Sequence, residues 1–166
     1  MFDSIKTCKS PDTIYTTAFS VLLLLLASEV RVPIGVVPIT LQTFVVFLLG
    51  LRLDKRSSIS TGLLFVAIKL ATLPFWSCQS FGYIIGMGLS IPSMYFVRQF
   101  TCSKIVDCVV GYLITNSFGC IWLYGFLRNW ILVWQYGLEP FILIEVFKST
   151  VAICVSAYFT QSRNNF

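Results

Sequence analysis

The sequence contains no histidine, and only 11% of its 166 residues are charged. Without histidine the chain lacks the commonest general base and a favoured metal ligand, which argues against an enzyme. Its charged fraction is less than half of the roughly 25% found in soluble domains. Six cysteines are present, but none forms a Cys-x-x-Cys pair, and their spacing fits no zinc site. The sequence also has no glycine-rich nucleotide loop, so any ATP hydrolysis must come from another protein.

The residues that are abundant are apolar. Hydrophobic residues make up 57% of the chain and aromatic residues 16%, and the mean hydropathy is +0.83. Such a chain would be insoluble as a water-exposed globule, so it is predicted to be an integral membrane protein. No linker or low-complexity segment divides it, which predicts one domain over residues 1–166. No internal repeat is visible, which weighs against the inverted-repeat secondary transporters.

Six apolar stretches predict an all-α bundle of six transmembrane helices. They cover approximately residues 13–27, 39–51, 58–73, 81–97, 109–127 and 141–159. The second is clearly shorter than the ~20 residues of a perpendicular spanning helix, so a half-length or tilted helix is expected. Pro33 and Pro38 precede it and disfavour helix in the residue before each, so an ordered loop is expected between them. The first stretch also resembles a signal peptide, but no small-x-small cleavage site follows, so a retained helix is preferred.

The positions of the basic residues predict the topology. Of the 12 Lys and Arg residues, Lys69 and Lys148 lie within apolar stretches, which leaves ten. If the N-terminus is cytoplasmic, eight of these ten face the cytoplasm and only Arg31 and Arg128 face outside. This positive-inside bias predicts that both termini are cytoplasmic. It also accounts for the net charge of +5 without a nucleic-acid partner.

The last apolar stretch contains two charged residues, Glu145 and Lys148. They are three positions apart, so they share one helical face and can interact. Exposing either to lipid would cost roughly 2.5 kcal/mol or more, so both are expected to face a cavity or the bundle interior. Two interpretations remain open. They form either an ion pair that holds helices together or a polar site for a ligand with an anionic tail and a hydrogen-bonding head.

Two further polar residues within the stretches have simpler explanations. Lys69 lies about one turn inside Leu73, and its side chain is expected to snorkel to the outer interface. Asn116 lies in the middle of the fifth stretch and is expected to hydrogen-bond between helices. Trp76 follows the third stretch, where an aromatic residue either packs a ligand or simply marks the membrane interface.

Residues 37–44, with the sequence VPITLQTF, place a proline, two threonines and a glutamine at the mouth of a membrane segment. Such polar groups lack partners in lipid and should line a protein cavity. This string, preceded by residues 31–34 (RVPI), closely resembles the signature of the BioY family, the biotin-binding S components of energy-coupling-factor (ECF) vitamin transporters. Residues 73–86 and 140–148 also resemble that family. The resemblance implies an S-component-like fold, with biotin as the transported ligand and no cofactor.

The resemblance also implies how a ligand would be held. The residues that it predicts to contact the ligand are Arg31, Gln42, Trp76, Gln79, Tyr83, Glu145 and Lys148. By resemblance, Lys148 would hold the biotin carboxylate, and Glu145, in place of the family's aspartate, would accept from a ureido N–H. Gln79 would supply an amide to the ureido ring. Trp76 and Tyr83 would pack against the bicycle, Gln42 would reach into the cavity, and Arg31 would lie over its mouth.

The partners implied by the resemblance are an ECF module, formed by a T subunit and two ATPases, in the bacterial inner membrane. The alternative that the protein acts without a module, alone or as a homo-oligomer, stays open. Two other functions also stay open. One is an S component for another vitamin, such as riboflavin or thiamine. The other is a membrane-embedded enzyme, which the absence of histidine and of a carboxylate pair disfavours.

Overall fold

A computed structural model describes residues 10–32, 39–72 and 79–164 of the chain, where helices are joined by turns and one short antiparallel ribbon. The helices are α1 (Ser10–Glu29), α2 (Gln42–Gly50), α3 (Lys55–Thr72), α4 (Phe81–Arg98), α5 (Lys104–Leu127), α6 (Trp130–Val133) and α7 (Glu139–Asn164). A π-helical segment, Trp134–Leu138, joins α6 to α7. The ribbon pairs β1 (Arg31–Val32) with β2 (Ile39–Thr40), in the register Arg31 to Thr40.

A helix lies in each of the six apolar stretches, but the bounds differ where polar residues intervene. The second helix begins at Gln42 instead of residue 39, because Ile39 and Thr40 pair with β1. The loop expected between Pro33 and Pro38 lies outside the described residues. Helix α6 and the π-helical segment were not predicted. They follow Arg128, whose φ of 51° ends α5, and Asn129, whose side chain accepts from the Ile131 N–H.

The described helices differ in how well they suit a membrane. Three segments are long and apolar enough to cross one: Asp12–Glu29, Lys104–Leu127 and Trp130–Phe159. Helix α2 has only 9 residues, as its short apolar stretch indicated. The number of helices that cross the bilayer and the side on which the termini lie therefore remain predictions.

Polar and apolar residues are distributed as in a membrane protein. Large apolar side chains lie on the outside, and Phe19 and Leu143 are 62% and 81% exposed. Small polar side chains are buried instead, among them Ser20, Ser58 and Ser90. Since lipid is as apolar as leucine, helices in a membrane associate through small and polar residues instead of through a hydrophobic core alone.

Glycines set the close packing around α4. A Cβ atom on Gly86 would lie 2.7 Å from the Cα atom of Thr115 on α5, so no larger residue fits there. A Cβ atom on Gly62 of α3 would meet the backbone carbonyl of Gly88 on α4. These contacts draw α3 and α5 against opposite sides of α4. Helix α4 is thus the central helix of this part of the bundle.

The short helix α2 is held at its C-terminal end by α4. The Arg98 guanidinium donates to the carbonyl of Leu53 at 2.7 Å and to that of Gly50 at 3.3 Å. The Gly50 carbonyl ends α2 and the Leu53 carbonyl follows it. Carbonyl groups at a helix C-terminus have no hydrogen-bond partner within the helix. A positive charge at a helix C-terminus is also favourable to the helix dipole. Arg98 therefore fixes the position of α2, whose other end contributes to the cavity described next.

Candidate functional site

A cavity of about 150 Å³ lies where the ribbon, the start of α2 and the start of α7 meet α1, α3, α4 and α5. Its described polar lining comprises Ser28, Arg31, Thr40, Gln42, Thr43, Lys69, Ser80, Tyr83, Tyr112, Thr115, Asn116 and Glu145. Its apolar lining comprises Val46, Phe47, Ile84, Met87 and Phe141. A concave apolar site with a few convergent polar groups is the usual form of a small-molecule site.

Three side chains form a closed hydrogen-bonded ring at the wall of this cavity. The Lys148 ammonium lies 2.7 Å from Glu145 Oε1 and 2.8 Å from Thr43 Oγ1. Thr43 Oγ1 in turn donates to the same Glu145 oxygen at 2.7 Å. The ammonium also donates to the backbone carbonyl of Thr40 at 2.7 Å. All three ammonium protons therefore have protein acceptors.

Two buried polar atoms on the same wall have no hydrogen-bond partner among the described residues. They are Glu145 Oε2, on a residue 5% exposed, and Gln42 Nε2, on a residue 4% exposed. A buried polar group left in this state costs about 1–3 kcal/mol, so native proteins rarely leave one without a reason. Both residues line the cavity. The wall thus offers one charged acceptor and one amide donor to a ligand.

A second cation reaches the cavity at Lys69, near the C-terminus of α3. Its ammonium donates to Ser28 Oγ at 2.8 Å, and Ser28 donates to the carbonyl of Leu25 at 2.6 Å. The expectation that Lys69 only snorkels to the interface therefore misses its contact with α1 and its place in the lining. Arg31 also lines the cavity but is more than half exposed, and it pairs with Glu29 at 3.6 Å.

An aromatic pair forms part of the apolar wall. The rings of Tyr83 and Phe141 stack with centroids 6.1 Å apart, and both residues are buried. The Tyr83 hydroxyl donates to the Gly137 carbonyl at 2.9 Å. Because its hydroxyl is engaged there, Tyr83 offers mainly a ring surface to the cavity.

Seven residues are predicted to contact a ligand. Four of them line the cavity together: Arg31, Gln42, Tyr83 and Glu145. Lys148 lies directly behind Glu145 and holds it in place. Gln79 is exposed in the turn before α4 and is not part of the described lining. Trp76 lies outside the described residues.

Sequence reasoning missed or misjudged three lining residues. Lys69 was assigned to the interface, although a charge inside an apolar stretch is itself a signal of a functional site. Asn116 was expected to bond between helices, but its amide donates to the Tyr112 carbonyl within α5 at 2.9 Å. Thr115 gave no signal in the sequence, since a threonine in an apolar helix is common.

A groove between α5 and α7, with a volume of about 270 Å³, lies beside the cavity. The two share Phe47, Tyr112 and Glu145 in their linings. The remaining described residues of the groove are mostly apolar and include Ile105, Val109 and Ile153. These three side chains therefore border both spaces.

Comparison with known proteins gives consistent results. The model of the BioY family matches residues 4–165. The biotin transporter BioY2 of Lactococcus lactis subsp. cremoris is 26% identical, covering 74% of this chain and 75% of the relative. A probable biotin transporter BioY of Pyrococcus horikoshii is 27% identical, covering 84% and 90%. The crystal structure of the S component for biotin from an ECF-type ABC transporter superposes with a TM-score of 0.78, at 20% identity and 95% coverage of both chains. At that identity, the structural likeness shows the fold alone.

Proposed function

The chain belongs to the BioY family, and from this premise we propose that it is a biotin-binding S component that mediates biotin uptake. The observation that carries the proposal is the pair of unpartnered polar atoms on the cavity wall, Glu145 Oε2 and Gln42 Nε2. The ureido ring of biotin has N–H donors and one carbonyl acceptor. It therefore complements a buried charged acceptor beside an amide donor.

In the proposed complex, Glu145 Oε2 accepts from a ureido N–H and Gln42 Nε2 donates to the ureido carbonyl. A hydrogen bond to a charged acceptor is shorter and stronger than one between neutral groups. The apolar part of the bicycle packs against the Tyr83 and Phe141 rings. One ureido N–H and the ureido carbonyl then gain partners, and so do the two buried polar atoms of the wall.

Lys148 has a positioning role in this arrangement. With three acceptors around its ammonium, it neutralises Glu145 and fixes one carboxylate oxygen, which leaves the other for the ligand. Arg31, which lines the cavity, and Gln79, exposed in the turn before α4, are also proposed to contact the ligand, as is Trp76 by resemblance.

The energy for uptake is proposed to come from an ECF module, with a T subunit and two ATPases, because the sequence has no nucleotide loop of its own. We further propose six transmembrane helices in a cytoplasmic membrane with both termini inside, which the positive-inside bias supports. The relatives are named as transporters, which sets the membrane-embedded enzyme aside.

Equilibrium binding of radiolabelled biotin to the purified protein tests the proposal, with riboflavin and thiamine as competitors. We expect saturable biotin binding that neither competitor displaces. The double variant Glu145→Gln with Lys148→Met serves as the matched control, because it removes the charged acceptor without leaving a buried cation uncompensated. Displacement of biotin by another vitamin at lower concentration would assign the protein to that vitamin instead.

A further inference from the structure

The groove between α5 and α7 opens on an apolar side of the molecule. It lies between two segments that are long and apolar enough to cross a membrane, Lys104–Leu127 and Trp130–Phe159. The side chains of Ile105, Val109 and Val146 line it and are exposed. In a bilayer the groove therefore faces the hydrocarbon chains of the lipids.

The lining of the groove suits a hydrocarbon better than a polar ligand. The hydroxyl groups that α7 brings to it, on Ser149 and Thr150, both donate to the Val146 carbonyl, at 2.9 and 2.8 Å. Glu145 also borders the groove, but its charge is paired with Lys148, and its second oxygen serves the ligand of the cavity in the proposed complex. An occupant of the groove therefore needs few hydrogen-bonding groups.

The length of the groove matches one lipid chain. Along α7 the lining runs from Ile142 to Ile153, a rise of about 16 Å, and along α5 from Ile105 to Tyr112, about 10 Å. The hydrocarbon core of a bilayer is about 30 Å thick, so the chains of one leaflet span about 15 Å. One acyl chain of a single leaflet is thus long enough to fill the groove.

Two cations lie at one end of the groove. Lys104 begins α5 directly before the lining starts. Ile153 packs against the apolar cluster that contains Cys108, so the C-terminal part of α7 lies beside the start of α5. At this end the Arg52 guanidinium lies 5.3 Å from the ring centroid of Phe159 on α7. Basic residues at the start of an apolar segment attract the headgroups of anionic lipids.

We propose that this groove binds one acyl chain of an anionic phospholipid, whose headgroup lies beside Lys104 and Arg52. The chain contacts Phe47 and Tyr112, which border the ligand cavity as well. It fills the space behind Glu145 and keeps water from the buried pair that Glu145 forms with Lys148. The bound lipid thereby strengthens ligand binding. This last step rests on the proposed function, whereas the lipid site itself does not.

A photoactivatable phosphatidylglycerol with a diazirine on its acyl chain tests the site. The full chain is reconstituted in phosphatidylcholine vesicles with this probe, and the labelled residues are identified by mass spectrometry. We expect labelling within residues 105–112 and 142–153. Val109→Trp places an indole in the groove and should lower this labelling about tenfold, because the chain loses its packing contacts. Ile121→Trp is the matched control, since Ile121 is exposed on the same helix but outside the described lining.

The headgroup is tested by removing the two cations. Lys104→Gln and Arg52→Gln should each lower labelling by phosphatidylglycerol about fivefold, the usual effect of one basic residue near a membrane surface. Labelling by a photoactivatable phosphatidylcholine should not change. Lys55→Gln is the control, because Lys55 belongs to α3, where its ammonium lies 5.8 Å from the ring centroid of Phe96. Thermal unfolding shows that each variant is folded.

The effect on the ligand site is measured as biotin affinity in detergent. Adding phosphatidylglycerol to the delipidated wild-type protein should strengthen biotin binding by about threefold or more, because hydrogen bonds to Glu145 are stronger when water is excluded. In Val109→Trp the indole already fills the groove, so biotin affinity should not depend on added lipid.

Several results would overturn the inference. Labelling that is spread over all exposed faces, or that Val109→Trp leaves unchanged, contradicts the lipid site. Equal labelling by the two lipids contradicts the anionic headgroup. A change in the number of chains per purified particle in Val109→Trp, with no labelling of the wild-type groove, assigns the groove to a second copy of the chain. Labelling without any effect of lipid on biotin affinity removes the link to the cavity. Failure of the wild-type protein to bind biotin refutes the proposed function and leaves the lipid site standing.

Discussion

Thr43 Oγ1 lies 2.7 Å from Glu145 Oε1, although the two residues are 102 positions apart in the chain. The contact joins the first turn of α2 to the second turn of α7. Because the same hydroxyl accepts from Lys148 at 2.8 Å, its proton is directed to Glu145. Thr43 thus decides where the Glu145 carboxylate points, which makes it a positioning residue of the proposed site.

Replacing Thr43 by valine keeps the shape of the side chain but removes both hydrogen bonds. We expect a loss of about 1–3 kcal/mol in the free energy of unfolding, because Glu145 and Lys148 each lose a buried partner. Biotin binding should weaken as well. Thermal unfolding and equilibrium binding are the measurements. Thr72→Val is the control, since that hydroxyl only bonds to the Ile68 carbonyl at an exposed helix end, and equal effects of the two changes would contradict the assigned role.

Gln42→Leu should change stability and affinity in opposite directions. The Gln42 amide nitrogen is buried without a partner in the described structure, so an apolar replacement should leave the unliganded protein equally or more stable. Biotin binding should weaken by about 0.5–1.5 kcal/mol, the worth of a neutral hydrogen bond. Thr61→Val is the matched control, because Thr61 Oγ1 is also buried without a partner but lies outside the described lining. A drop in affinity in both variants would show that the effect is not local.

The pair Glu145 and Lys148 can be removed together to separate structure from binding. Glu145→Gln alone leaves an uncompensated buried cation and should destabilise the protein by about 3–5 kcal/mol. The double variant Glu145→Gln with Lys148→Met removes both charges and should recover thermal stability and expression. It should not recover biotin binding, because the charged acceptor is gone. A folded double variant with near wild-type affinity would refute the proposed site.

The proposed topology can be checked with two glutamines. Gln99 follows α4 and Gln135 lies in the π-helical segment, and both are exposed. In a cysteine-free background, Gln135→Cys should react with a membrane-impermeant thiol reagent in intact cells, and Gln99→Cys should react only after the membrane is opened. The reverse pattern would place both termini outside.

The sequence predicted the helices well where an apolar run ends in polar or turn-forming residues. It did not separate α6 and the π-helical segment from their neighbours, because residues 130–138 are themselves largely apolar. The spacing of Glu145 and Lys148 correctly indicated that the two interact. Their partner Thr43 and the second cation Lys69 depend on how helices far apart in the chain meet, which periodicity does not encode.

The shortness of α2 brings the two ends of the helix close together. Gln42 begins this helix of 9 residues, and Arg98 holds its other end at Gly50. A helix of that size is about 14 Å long, against about 30 Å for the hydrocarbon core of a bilayer. Helix α2 by itself is therefore about half as long as that core is thick, and the proposed ligand contact at Gln42 lies only about 14 Å along the helix axis from the end that Arg98 holds.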